Sequence, residues 1–93
     1  MLEVTAVEYL AEYRLHVQFS NGEQGIIDLS DSLWGPVFEP LRNLEMFQRC
    51  EVSPVIHTIR WENDADFAPE FLHEKMHAQR QTTLHRGQIA DRQ

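Results

Sequence analysis

The sequence predicts an α+β domain of two layers, with an antiparallel sheet and its elements in the order β-β-β-α-β-β-α. Three observations lead there. Tyr13, Leu15, Val17 and Phe19 alternate with Arg14, His16 and Gln18, the period-two pattern of a half-buried strand. Two prolines and irregularly spaced apolar residues then break that pattern across "DSLWGPVFEPLRNLEMFQRC". Beyond residue 66, apolar side chains recur at helical spacing behind Pro69.

The first strand is "LEVTAVEYL", with Leu2 and Val4 on one face and a change of phase near Ala6 and Val7, as a bulge produces. The second is "YRLHVQF". Asn21-Gly22, the preferred pair for a tight hairpin turn, links it to a third strand in "QGIIDL". Pro36 to Leu41 reads as a helical turn. A short helix follows over about 43–49, capped by Asn43, with Leu44 and Phe47 three apart on one face. "EVSPVIHTIRWE" is strand-like with an interruption at Ser53-Pro54, and its alternation sets Val55, His57, Ile59 and Trp61 on one face. After the turn "NDAD", Asp66 is the expected cap of a helix from about residue 67 to 79 or beyond, with Pro69 in its first turn, where a missing N–H is harmless. Residues 1–79 are expected to form a single domain and 80–93 a polar, weakly basic tail in which order decays.

The 93 residues suffice for one domain, and a chain of this size buries roughly 60% of its unfolded surface, so a modest core is expected and a deep catalytic cleft is not. The lone cysteine, Cys50, excludes an internal disulfide and suits a reducing cytoplasm. "MLEVTAVEYL" carries no basic stretch or long apolar run, so no signal peptide is expected, and no apolar run approaches the ~20 residues of a membrane helix. The net charge of −7 is uneven. Arg80, Arg86, Arg92 and Asp91 give the tail +2, which leaves −9 on residues 1–79. An acidic body repels a phosphate backbone, so nucleic-acid binding by the main domain is disfavoured.

Four stretches, taken in order, resemble the bacterial domain-of-unknown-function 2442 family. They are Phe19-Ser20-Asn21-Gly22 with Asp28-Leu29; Gly35-Pro36-Val37-Phe38-Glu39-Pro40-Leu41 with Phe47; Ile59-Arg60-Trp61; and Asp66 with Ala68-Pro69-Glu70 and Leu72. Within them Gly22, Asp28, Gly35, Pro36, Phe38, Leu41, Trp61, Asp66 and Pro69 are the motif positions. The resemblance implies three strands, a helix, two strands and a helix. No catalytic activity is settled for the family. Some members resemble the antitoxin half of two-gene modules, and others add a helix-turn-helix, for which a chain ending at Gln93 leaves no room. Asp64 stands where the family commonly has glycine, and His73 where tyrosine is common.

One string points to chemistry. His73-Glu74-Lys75-Met76-His77 spells H-E-x-x-H, whose two histidines lie one helical turn apart and whose glutamate activates water in zinc proteases. Glu70 and His85 are the nearby candidates for a third ligand. The expectation nonetheless is of no metal, cofactor or catalytic residue. At 100° per residue, Glu70, His73, Glu74 and His77 share one arc, opposite Ala68, Phe71, Leu72 and Met76, which makes the quartet the polar face of an amphipathic helix. Each histidine follows a glutamate by three residues, close enough for an ion pair when protonated. His57 reads as a core or edge residue, Asp64 and Asp66 as turn and cap residues, and Cys50 as carrying no redox role. Trp34, Trp61, Phe38 and Phe47 read most simply as core, and Trp34, beside Gly35-Pro36, is the alternative candidate for a surface anchor that holds a partner. The expected function is a non-enzymatic protein-interaction module, antitoxin-like by resemblance, whose partner is another small protein, basic in character, or a second copy. The alternative is a minimal zinc-dependent hydrolase built on His73, Glu74 and His77.

Overall fold

The computed structural model describes residues 1–92, with side chains through Arg80. The expected order of elements is present. Strands β1 (Val4–Ala11), β2 (Arg14–Phe19) and β3 (Gln24–Asp28) form an antiparallel sheet in the order β1-β2-β3. Two 3-10 turns, Ser30–Ser32 and Glu39–Arg42, lead to helix α1 (Leu44–Phe47), a separate hairpin of β4 (Glu51–Val52) and β5 (Ile59–Arg60), and helix α2 (Pro69–Arg92). The strands thus divide between two sheets. Helix α2 is continuous in backbone through residue 79.

The alternation in β2 works as the pleat requires. Leu15, Val17 and Phe19 are buried, while Arg14, His16 and Gln18 are exposed or half-buried. The phase change in β1 is a register shift between Val4 and Ala6, which buries Val4 on the core side. Tyr13 lies in the β1–β2 turn rather than in β2. Its ring meets the edge of Phe47 at 5.3 Å and its hydroxyl donates to the Arg42 carbonyl. The loop from β2 to β3 holds four residues, Ser20 to Glu23, rather than Asn21-Gly22 alone. Phe19 N–H donates to the Glu23 carbonyl at 2.8 Å, and Gly22 sits at φ +90°, the left-handed position such a loop closes on.

Asn43 caps α1 as expected, its side-chain oxygen accepting from the N–H groups of Glu45 and Met46 at 2.9 and 3.3 Å. Phe47 then reaches the core, where Trp61 tilts against it at 5.7 Å and donates its indole N–H to the Phe47 carbonyl at 2.9 Å. Leu29, Leu33, Leu41, Ile59, Leu72 and Met76 complete the buried cluster.

Two expectations need correction. His57 does not share a strand face with Val55 and Ile59. The Ser53 hydroxyl oxygen accepts from the N–H groups of Val55 and Ile56, folding 53–57 into a turn, so Val55, Ile56 and His57 are exposed and His57 lies at φ +58°. Helix α2 begins at Pro69 rather than 67, because Asp66 is held in a β-bridge to Arg60. Asp64 occupies φ +67° and its carboxylate pairs with Arg60 at 2.5 Å, which accounts for a position where glycine is common.

Helix α2 lies close against β3. A Cβ at Gly25 would come within 2.8 Å of the Met76 sulfur. Gln79 exchanges two hydrogen bonds with the Asp28 backbone, at 2.9 and 2.8 Å, and Arg80 donates to the Gln24 carbonyl at 3.0 Å. These side chains satisfy backbone groups along an outer strand that would otherwise invite another chain. Among the described residues, no helix is long and apolar enough to cross a membrane.

Candidate functional site

Two surface features stand out from this frame. The first is an apolar groove of about 410 Å³, lined chiefly by Trp34, Pro36, Val37, Phe38, Phe67 and Phe71. Its rear wall is a column of rings. Phe38 stacks on Phe67 at 4.5 Å, Phe67 stacks on Phe71 at 5.2 Å, and Trp61 meets Phe67 edge-on from the core at 5.9 Å. The front lip follows from Gly35, whose φ of +91° turns the chain so that its carbonyl accepts from both Phe38 and Glu39. Trp34 and Val37 are left 69% and 50% exposed on that lip. Arg42 donates to the Leu33 carbonyl at 2.6 Å and Asn63 to the Val37 carbonyl at 3.0 Å, which fixes the segment from both sides. At one end Lys75 sits 5.8 Å from the Phe71 ring centre and pairs with Asp31 at 2.8 Å, and its hydrogen bond, helped by its charge, holds the Asp31 carboxyl below its ordinary pKa.

The sequence singled out Trp34 but not its neighbours. Phe38 was expected in the core and Phe71 on the buried arc of the helix. Phe38 is half-buried and lines the groove, and Phe71 is 40% exposed at its rim. Leu72 and Met76 take the core positions of α2 and leave Phe71 at the edge of its apolar arc.

The second feature is built around Glu23. His73 and His77, one turn apart on α2, point back to the β2–β3 loop. Their Nε2 atoms lie 2.5 Å from Glu23 Oε1 and 2.9 Å from Oε2. Asn21 bonds Glu23 twice, its amide donating to the carboxylate Oε1 at 2.8 Å and its oxygen accepting from the backbone N–H at 3.0 Å. The Phe19 ring meets His73 edge-on at 5.2 Å. The hydrogen bond from His73 is the largest influence holding the Glu23 carboxyl below its ordinary pKa. Loss of hydration opposes it, and Asn21 and the charge of both imidazoles add to it.

The polar face of α2 is therefore not uniformly solvated. His73 and His77 are half-buried against the hairpin, while Glu70 and Glu74 are exposed and lie outside the cluster. The pairs with Glu70 and Glu74 are replaced by one carboxylate 50 residues away in sequence. The side chain of His85 lies outside the described residues. His57 is remote from the cluster, 4.0 Å from Glu3. Burial pushes the Cys50 thiol up to about 11, away from reactivity.

The other motif positions are largely structural. Gly22 closes the β2–β3 loop, Leu41 and Trp61 are buried, and Pro69 opens α2. The Asp28 side chain accepts from Ser30 N–H at 2.9 Å.

The profile of the family described as "Protein of unknown function (DUF2442)" matches residues 4–78. No curated protein matches the chain. Among solved structures, it is similar to the crystal structure of a putative DNA-binding protein from Nitrosomonas europaea. The two share 29% identity and a TM-score of 0.75, over 85% of this chain and 51% of that one. The chain thus spans about half the length of that neighbour.

Proposed function

The chain belongs to the DUF2442 family, whose function is unknown, and from that premise we propose that it is a protein-interaction module with no catalytic residues. Its docking face is the Trp34 groove. The observation that carries this reading is the exposure of Trp34, Val37 and Phe71 around one apolar hollow backed by stacked rings. A small monomer rarely leaves such a cluster in water without a use for it, and an exposed tryptophan beside a pocket is the residue type that dominates binding energy. The partner is a second small protein, basic in character because residues 1–79 carry −9. Its setting is a reducing cytoplasm, and its role is the antitoxin-like half of a two-gene module. The DNA-binding description belongs to a neighbour of which this chain matches about half, and the acidic body opposes a phosphate backbone.

Co-purification from the native host, compared between the wild-type chain and Trp34→Ala, tests the reading. The variant is expected to weaken the complex by about 30-fold or more, the equivalent of a hot spot of about 2 kcal/mol. High salt is expected to weaken it further through the charge component. A chain that is strictly monomeric and without a partner at low and high salt alike, or a partner held equally by Trp34→Ala, overturns the reading.

A further inference from the structure

We propose that Glu23, His73 and His77 form a binding site for a divalent transition-metal cation, zinc before the others. The sequence contains the two-histidine half of such a site, and Glu70, its described candidate for a third donor, lies outside the cluster. The fold supplies one from the β2–β3 loop. The three ligating side chains each offer an atom within 4.8 Å of the others. The two imidazole rings are 4.5 Å apart between centres, and both direct Nε2 at the same carboxylate.

The donor set decides the class of ion. Two imidazole nitrogens and one carboxylate oxygen suit zinc and its neighbours in the first transition row. Calcium and magnesium prefer shells made of oxygen. Zinc takes nitrogen and oxygen donors at about 2.0–2.2 Å. With an ion between them, the three groups stand about 3.3 Å apart in a tetrahedral arrangement. The present Nε2 to oxygen distances of 2.5 and 2.9 Å have to open to that spacing, and the donor atoms as a set already lie within 4.8 Å of one another. Each imidazole then presents the Nε2 lone pair to the ion and carries its remaining proton on Nδ1. His73, His77 and Glu23 keep 26%, 40% and 37% of their side-chain surface, so water can occupy the remaining coordination position.

The surroundings hold the donors where the ion needs them. Asn21 orients Glu23 through two hydrogen bonds, and the Phe19 edge fixes the plane of His73. The clamps of Gln79 on Asp28 and Arg80 on Gln24 tie the helix to the hairpin just beyond the site. Supporting contacts of this kind separate a built site from two histidines that happen to be one turn apart. The ion joins the hairpin loop to α2, and Glu74 has no part in it. The site is distinct from the Trp34 groove and owes nothing to the interaction reading, so either can fail alone.

The test uses the untagged chain, stripped with a chelator and titrated with zinc chloride by calorimetry, with thermal melts in parallel. One zinc per chain is expected, with a melting temperature that rises with zinc and is unmoved by magnesium. Glu23→Gln and His77→Ala remove ligands. Each is expected to lower affinity by more than the about 10–100-fold typical of losing an outer-shell partner, while His57→Ala leaves it unchanged. Circular dichroism of the zinc-free variants checks folding. Should His77→Ala fail to fold, Glu23→Gln, on a loop and nearly isosteric, decides alone. Absence of zinc uptake by the wild-type chain, or uptake undiminished in a folded Glu23→Gln variant, overturns the proposal.

Discussion

The two tryptophans provide a sharp contrast in stability. Trp61 is 1% exposed, and its indole N–H donates to the Phe47 carbonyl at 2.9 Å. Trp61→Phe keeps an aromatic ring in the core but removes that donor and part of the ring volume. A buried carbonyl left unpaired costs about 1–3 kcal/mol. A void of roughly 40 Å³ at about 24 cal/mol per Å³ adds about 1 kcal/mol. The sum, about 2–4 kcal/mol, is a large part of the 5–15 kcal/mol typical of a whole domain. At about 4–8 °C per kcal/mol, the melting temperature should fall by at least about 8 °C. Trp34, 69% exposed, should tolerate Trp34→Ala with a change within about 0.5 kcal/mol. Urea unfolding followed by far-ultraviolet circular dichroism, which does not depend on either indole, measures both. A loss below about 1 kcal/mol for Trp61→Phe, or above about 2 kcal/mol for Trp34→Ala, refutes the assignment of one ring to the core and the other to the surface.

Three further predictions concern single groups. Asn43→Ala removes the acceptor for two N–H groups of α1 and should cost about 0.5–2 kcal/mol in the same assay, with Asn43→Asp nearly neutral. Cys50, its thiol pushed up to about 11 by burial, should alkylate about 100-fold more slowly in the folded than in the unfolded chain at pH 8.5, as iodoacetamide labelling followed by mass spectrometry would record. Asp31 is held below its ordinary pKa by Lys75, so its contribution to stability is complete above the unfolded value and lost as pH falls through the folded one. Melts between pH 7 and 3 should show an acid-side loss that is smaller in Lys75→Gln.

Local rules made much of the fold legible. Strict alternation placed Leu15, Val17 and Phe19 in the core, and the Asn43 side chain marked the start of α1. Competing hydrogen-bond partners, some near in sequence and one far away, hid the rest. Val55 and Ile56 look like strand residues, but the Ser53 hydroxyl captures their N–H groups and turns the chain. Asp66 looks like a cap, yet its backbone is engaged by Arg60. The polar arc of α2 reads as solvated because helical geometry alone says nothing of Glu23, which a hairpin loop delivers from 50 residues away. The groove was half legible. Trp34 beside Gly35-Pro36 marked the lip, but the ring column from Phe38 to Phe71 exists only once α2 packs against the loop.

Site-specific photocrosslinking in the native host tests the docking face most directly. A benzophenone amino acid replaces Trp34 on the groove lip and, as a control, Glu8 on the exposed side of β1. The account predicts one discrete adduct from position 34, to a small basic protein or to a second copy of the chain, and none from position 8. No adduct at position 34, or the same adducts from both positions, would contradict it.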